Sequence, residues 1–117
     1  MRKRLMYIEP KGPKGSGSAA CVRRVTQVKL GLMIYDADKA FVPQRNRGSG
    51  ANYSETHTGE PYWIAPCRKD GKDSLEPLVV QIDDEAREEY WHNVRGLPEN
   101  AQEPSYQSPG RAGAPSA

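Results

Sequence analysis

The sequence predicts a mainly β protein, either a small, strongly curved antiparallel sheet or an SH3-like barrel, with one short C-terminal α-helix. Up to residue 82, short runs rich in β-branched and aromatic residues alternate with turn residues, which is typical of antiparallel strands. Residues 83–96 combine apolar residues spaced by four with early acidic residues and a final glycine, which indicates a helix. In a chain of 117 residues we expect a thin core and little room for a deep active site.

Composition indicates which segments fold. From residue 99 onward Pro, Ser, Gly, Ala and Gln dominate, so this segment offers little apolar area to offset the entropy of ordering. Residues 10–19 are a run of Gly, Ser, Pro and Lys. We therefore predict a single small β-rich domain over residues 1–98 with a flexible loop at 10–19, followed by a disordered tail over 99–117.

The first strand is predicted at residues 4–9, "RLMYIE". Successive side chains of a strand point to opposite faces, so Leu5 and Tyr7 share one face while Met6 and Ile8 share the other. This alternation with a period of two predicts a strand rather than a helix.

The second strand, "ACVRRVTQVKL", breaks this alternation, because Val22 and Val25 are three residues apart. A one-residue bulge at Arg23 and Arg24 would bring both valines to the same face. A short helical stretch is the competing interpretation, but the β-branched residues favour a strand.

The next segments read as hairpins. Gly31 indicates a turn into a strand over residues 32–36, and "DADK" at residues 36–39 is typical of a second turn. A short strand then ends at Pro43, before a polar, glycine-rich loop at residues 44–51.

Residues 51–66 predict a further hairpin with its tip at residues 57–59, where Gly59 can supply a positive φ. Pro61 opens the returning strand. The last predicted strand, "LVVQI", places Leu78, Val80 and Ile82 on one face. The helix that follows has an Asp cap at Asp83 or Asp84 and one apolar stripe, formed by Ile82, Ala86, Tyr90 and Val94, with Trp91 widening it.

The strand "PYWIAP" carries apolar residues on both faces, so either both faces are covered or one is a contact surface. In the first interpretation Trp63 packs against Tyr90 or Trp91 of the helix. In the second it belongs to an exposed aromatic–basic surface that could stack the bases of single-stranded nucleic acid. That candidate binding surface consists of Arg45, Arg47, Tyr53, Trp63, Arg68 and Lys69.

Charge is uneven along the chain, although the formal net charge is only +2. Residues 1–24 hold seven basic residues and one acidic residue, whereas the rest holds 10 basic and 14 acidic residues. This polarity could steer an anionic partner towards the N-terminal end. A solvated basic start followed by an acidic helix is the simpler alternative.

No motif of catalysis or metal binding is present in the sequence. Cys21, Cys67, His57 and His92 match no zinc-site spacing, and there is no phosphate-binding loop, no GxGxxG and no nucleophile motif. We therefore expect no metal and no cofactor. The opening apolar run is too short for a secretory or membrane segment, so we expect a cytoplasmic protein with free thiols and no membrane partner.

Two stretches, "RLMYIEPKG" and "TGEPYWIAPCRKDGKDSLEPLVVQIDDEAREEYW", resemble a group of small, uncharacterised, soluble bacterial proteins. The resemblance implies a compact β-rich fold with a short C-terminal helix. Some members carry the name 1-deoxy-D-xylulose-5-phosphate synthase, a thiamine-diphosphate enzyme, but this chain is several times too short and lacks the Gly-Asp-Gly signature. It departs from the group's pattern at Arg23, at Pro61 and in "IAPC".

Three functions stay open from the sequence. The preferred hypothesis is a small non-enzymatic binding or adaptor module with an unknown protein partner. The alternative is sequence-nonspecific binding of nucleic acid through the aromatic–basic surface. The third is a small enzyme, which requires a pocket with at least two convergent polar groups.

Overall fold

The computed structural model describes residues 2–11, 20–29, 32–44 and 50–111, and it has eight β-strands and one short C-terminal helix. The strands are β1 (Arg2–Pro10), β2 (Cys21–Val28), β3 (Met33–Asp36), β4 (Lys39–Pro43), β5 (Tyr53–Glu55), β6 (Pro61–Pro66), β7 (Leu78–Ile82) and β8 (Ser105–Ser108).

Six strands close into an antiparallel barrel. They run in the order β1-β6-β5-β4-β3-β2, and β2 then pairs with β1 to complete the ring. Closure leaves these strands without free edges over the paired residues. The predicted fold class, a mainly β barrel with one short C-terminal helix, is confirmed.

The barrel interior is filled by one cluster of buried side chains. β1 contributes Met6 and Ile8 to it, while Leu5 and Tyr7 point to the outside of the barrel, so the predicted alternation is confirmed. We call this cluster the barrel core; its other members are Val25, Ile34, Phe41, Tyr62 and Ile64.

A second cluster, the outer core, covers the outside of β1 and β2. β7 runs parallel to β2, with Cys21 opposite Gln81 and Val22 opposite Ile82, and β8 pairs antiparallel with β7. The helix then lies over the same face. The members of the outer core are Leu5, Tyr7, Val22, Val80, Ile82, Ala86, Tyr90, Trp91 and Tyr106.

The predicted bulge in β2 is wrong. The register with β1 is unbroken from Val25 opposite Arg4 to Cys21 opposite Ile8. Val25 therefore points into the barrel core and Val22 into the outer core, and both are fully buried or nearly so. The two valines need no shared face, because β2 is covered on both sides. The choice of strand over helix is confirmed.

The hairpin turns lie where they were predicted. The turn between β3 and β4 places Ala37 at φ 56°, a left-handed conformation that a non-glycine residue adopts at some cost. The tip between β5 and β6 contains Gly59 at φ 74°. Glu55 fixes this tip, because its carboxylate accepts hydrogen bonds of 3.0 Å from the backbone N–H and the hydroxyl of Thr58. Gly31 lies outside the described residues.

The C-terminal helix changes its winding along its length. It begins as a 3₁₀ turn (Asp84–Ala86), continues as an α-helical turn (Arg87–Glu89) and ends as a π turn (Tyr90–Val94). Its predicted apolar stripe faces the outer core. Gly96, at φ 68°, ends it as predicted.

The predicted side-chain cap of this helix is wrong. Asp83 occupies the N-cap position, but its carboxylate makes no capping hydrogen bond. Its backbone N–H instead donates to the carbonyl oxygen of Val22 at 3.0 Å, because Asp83 extends the pairing of β7 with β2. The residue is therefore held by the sheet, and its carboxylate is left for other contacts.

The predicted disordered tail is wrong for residues 99–111, which are ordered. A 3₁₀ turn (Pro98–Asn100) leads into β8, where Tyr106 is buried in the outer core and Ser108 is fully buried. The hydroxyl of Tyr106 donates to the buried carboxylate of Asp73. One large aromatic residue and this bond anchor a segment whose average composition is typical of disorder. Residues 112–117 and most of the predicted flexible loop, residues 12–19, lie outside the described residues.

Replacing Tyr106 by Ala tests this anchoring. Loss of a buried aromatic residue leaves a cavity and strands the carboxylate of Asp73, so the free energy of unfolding should fall by about 3–5 kcal/mol. Urea unfolding followed by circular dichroism measures it. Gln107→Ala, an exposed neighbour in β8, is the matched control and should change stability by less than about 0.5 kcal/mol. Equal, small effects of both variants would show that the segment contributes no core.

Candidate functional site

Trp63 packs on the outside of the barrel rather than forming an open platform. Its ring lies against the outer core, and its indole N–H donates to the backbone carbonyl oxygen of Asp73 at 3.0 Å. The guanidinium of Arg111 covers the ring at 5.3 Å from the ring centre. The same arginine is fixed by hydrogen bonds from its Nε to the carbonyl oxygen of Lys72 and from its backbone N–H to that of Ser74. Trp63 therefore packs as part of the outer core, whereas its predicted contact with Tyr90 or Trp91 stays a prediction.

The two aromatic residues of the predicted binding surface lie on opposite faces of the sheet. Tyr53 is directly opposite Tyr62 across β5 and β6 and packs against the barrel core, whereas Trp63 packs against the outer core. They cannot form one stacking platform. Arg45 and Arg47 lie outside the described residues, so the structure brings together only Arg68 and Lys69 of the predicted set.

Arg68 and Lys69 follow β6 in an exposed turn. Arg68 forms a two-point ion pair with Asp70, with N–O distances of 3.1 and 2.9 Å. This pair, together with the backbone N–H of Lys72, lowers the pKa of the Asp70 carboxyl to about 2. Lys69 is exposed and forms no ion pair with a described residue. Of these two cations, Lys69 is therefore the one available to a partner.

Strand topology places further cations beside this turn. β1 is antiparallel to both β2 and β6, with Met6 opposite Pro66 and Arg2 opposite Gln27. The start of β1 therefore meets the end of β2 at one end of the barrel, and β6, which leaves its pairing beside the middle of β1, runs towards the same end. The positive charge of Arg4 also opposes the burial-driven rise in the pKa of the Cys67 thiol, which agrees with their proximity. We call this the basic end; its cations are Arg2, Lys3, Arg4, Lys29, Arg68 and Lys69.

Four of these cations form no ion pair with a described residue. Arg2, Lys3, Lys29 and Lys69 are exposed and make no ion pair within the described part of the chain. Among the described residues, Arg4 donates a hydrogen bond to the side-chain oxygen of Gln27 at 3.4 Å and forms no ion pair. The sequence signalled the excess of charge in residues 1–24, but the contributions of Lys29 and Lys69 follow only from the strand pairing.

A buried polar network holds the turn that carries Lys69. Asp73 is fully buried, and its carboxylate accepts from the backbone N–H of Arg68 at 2.7 Å and from the hydroxyl of Tyr106. Gly71 is buried at φ 77°, and a Cβ there would lie 2.8 Å from the guanidinium of Arg95. The sequence predicted only a polar turn here, because nothing local indicates that Asp73 is buried.

Arg95 fills the space beneath this turn. Its guanidinium carbon lies 5.2–5.8 Å from the ring centres of Tyr90, Trp91 and Tyr106, and one of its terminal nitrogens donates to the hydroxyl of Tyr90 at 2.9 Å. Its Nε is buried without a hydrogen-bond partner in the described residues. Cation–π contact with three rings compensates in part for that desolvation. The network is thus a structural support for the basic end.

Neither of the two cysteines is an activated nucleophile. Burial raises the pKa of the Cys21 thiol to about 11 and raises that of Cys67 as well, so both thiols are protonated at neutral pH. Both cysteines are free. Among the described residues, no group of three His, Cys, Asp or Glu side chains could hold a metal ion. An open cleft beside Cys21 does carry several charged groups, so the enzyme hypothesis stays a prediction.

No helix within the described ranges has the length and apolar character to cross a membrane. No protein-family model, curated protein or solved structure matches this chain. The resemblance to the group of small bacterial proteins is therefore still a prediction, and the functional argument depends on the geometry alone.

The stacking of Arg111 on the ring of Trp63 can be tested by fluorescence. In a Trp91→Phe background, Arg111→Ala should increase quenching of Trp63 by acrylamide, because the stacked guanidinium no longer shields the ring. Gln107→Ala, in the same C-terminal segment, should leave quenching unchanged. Unchanged quenching in Arg111→Ala would contradict the stacked arrangement.

Stability should also depend on alkaline pH. Burial raises the pKa of Cys21 to about 11 and of Tyr90 to about 12, from ordinary values of 9.0 and 10.0, and the pKa values of Tyr7, Tyr106 and Cys67 are raised too. The folded state therefore holds these protons more tightly than the unfolded state. Its stability is complete below about pH 9 and falls as pH rises towards 11.

Urea unfolding across this range measures the effect. Cys21→Ala should reduce the slope between pH 9 and about 11, because one of the groups has been removed. A free energy of unfolding that stays constant to pH 11 would contradict the burial of these groups.

Proposed function

We propose that this protein is a small non-enzymatic binding module whose basic end binds a flexible polyanion, with single-stranded nucleic acid as the favoured partner. The observation that carries the proposal is a set of four exposed cations without ion pairs among the described residues. Arg2, Lys3 and Lys29 lie at one barrel end, and Lys69 lies in the turn after β6, a strand that runs towards that end. Such a cluster concentrates positive potential and attracts polyanions.

The shape of the basic end favours a single strand over a duplex. Its cations lie on strand ends and turns of a closed barrel, and its described residues form no helix or protruding two-stranded ribbon that could enter a groove of B-form DNA. A flexible backbone can follow separate charges and release its counterions at each. Leu32, exposed by 62% and bonded through its N–H to the carbonyl oxygen of Lys29, offers an apolar contact for a base at the same end.

In this proposal, charge rather than aromatic stacking provides most of the binding free energy. Arg111 covers Trp63, and Tyr53 belongs to the opposite face, so the two aromatic residues of the predicted platform offer no shared open surface for stacking. Binding should therefore be tolerant of sequence and dominated by phosphate contacts. A protein partner with an acidic segment would use the same cations, and the experiment below distinguishes the two.

Salt dependence measures the phosphate contacts directly. A single strand releases ~0.7 counterion per neutralised phosphate, so four cations predict a slope of about −3 when log K is plotted against log salt. Fluorescence anisotropy with a labelled oligothymidylate of about 12 nucleotides gives the slope. No binding at low salt, or binding that salt does not weaken, would contradict the proposal. Stronger binding of polyglutamate than of the oligonucleotide would assign the surface to an acidic protein.

Charge reversal locates the surface. Lys3→Glu and Lys69→Glu, on two different chain segments, should each weaken oligonucleotide binding by about fivefold and reduce the slope by roughly 0.7. Lys39→Glu is the matched control, because Lys39 is also exposed but begins β4 at the opposite end of the barrel. An effect of Lys39→Glu as large as that of Lys69→Glu would show general charge attraction rather than a site.

A further inference from the structure

The sheet divides at β2, at the end of the barrel opposite the basic end. β2 pairs with β7 at Cys21 and Val22 and with β3 only from Thr26 onward, so β3 and β7 diverge on either side of Arg23. An open cavity of about 300 Å³ lies beside this division. We call it the fork cleft; the residues that line it include Cys21, Arg23, Ile82, Asp83, Asp84 and Arg87.

A second, smaller cavity of about 110 Å³ lies in the adjoining mouth of the barrel. Its floor is apolar and consists of Ile8, Phe41 and Tyr62. Cys21 and Arg23 line both cavities, so the barrel mouth and the fork cleft adjoin at these two side chains. The larger cavity alone reaches the lower end of the usual range for ligand sites, ~300–1,000 Å³.

Two charges in these cavities lack an ion-pair partner among the described residues. Arg87 is paired with Asp84 at 2.7 Å, and Arg23 is paired with Asp36 through its Nε at 3.0 Å. Within the described part of the chain, the two terminal nitrogens of Arg23 donate no hydrogen bond to a carboxylate. The carboxylate of Asp83 and the ammonium of Lys39 form no ion pair there either. The fork cleft thus offers an unpaired acid, and the barrel mouth offers an unpaired base.

We propose that the fork cleft and the barrel mouth together bind a small zwitterion with an apolar side chain, of the size of an aliphatic α-amino acid. Asp83 binds the ammonium group, and the terminal nitrogens of Arg23 bind the carboxylate in the two-point geometry that guanidinium favours, with Lys39 nearby. The apolar side chain enters the barrel mouth and covers Phe41 and Tyr62. A cavity of ~150 Å³ holds benzene, so 110 Å³ admits a side chain no larger than that of leucine.

L-Leucine is the probe for this site, and its binding is measured by amide chemical shifts in ¹⁵N-labelled protein. We expect saturable shifts around Cys21, Lys39 and Asp83, with a dissociation constant in the millimolar range for so small a ligand. Isopentylamine lacks the carboxylate and 4-methylpentanoate lacks the ammonium, and each should bind about tenfold more weakly. Equal binding of either analogue, or no saturable shift at these residues, would overturn the proposal.

Two substitutions locate the charges. Asp83→Asn should weaken leucine binding by about tenfold and leave that of 4-methylpentanoate unchanged, because only the ammonium contact is lost. Lys39→Gln should weaken leucine and 4-methylpentanoate but not isopentylamine. Asp38→Asn, at an exposed position of the β3–β4 turn, is the matched control and should have no effect. Oligonucleotide binding should survive all three variants, so this site and the basic end can fail independently.

Discussion

The antiparallel pairing of β1 with β2 is the constraint on which the rest of the structure depends. It closes the barrel, and the same two strands bury side chains on both faces. Met6 and Val25 face inward, while Tyr7 and Val22 face outward beneath β7, β8 and the helix. Each strand therefore contributes to two cores, which is how so short a chain buries enough apolar area. The basic end is a consequence of the same pairing, because it sets the start of β1 beside the end of β2.

Local patterns were sufficient to predict most of the elements. The alternation of β1, the turn at Gly59 and the apolar stripe of the helix depend on neighbours in sequence, and each appears as predicted. β2 was misread because a strand that is covered on both faces has no polar side, so the spacing of Val22 and Val25 carries no information about a bulge. The composition of residues 99–111 led to a wrong prediction of disorder, because an average over the segment hides the effect of a single residue. The burial of Tyr106 decides whether this segment is ordered.

The proposed binding surfaces depend on contacts between residues that are distant in sequence, so local patterns could not predict them. Tyr53 and Trp63 were grouped by type, but their positions on paired strands place them on opposite faces. The antiparallel pairing of β1 with β6 directs the turn that carries Lys69 towards the end of the barrel where Lys3 lies. The buried Asp73 then fixes the turn that presents Lys69, through bonds to residues on both sides of it in the sequence. The same strand topology therefore forms the two cores and places the cations of the basic end.

The central claim is that separate segments of the chain form one polyanion-binding surface at the basic end. Amide chemical-shift mapping with an oligothymidylate tests it most directly, because it reports every segment at once. We predict that the amide chemical shifts of residues 2–4, Lys29 and residues 68–70 change together and saturate with a common dissociation constant. The amide chemical shifts of the β3–β4 turn should stay unchanged. Shifts confined to one of these segments, or centred on the opposite end of the barrel, would contradict the claim.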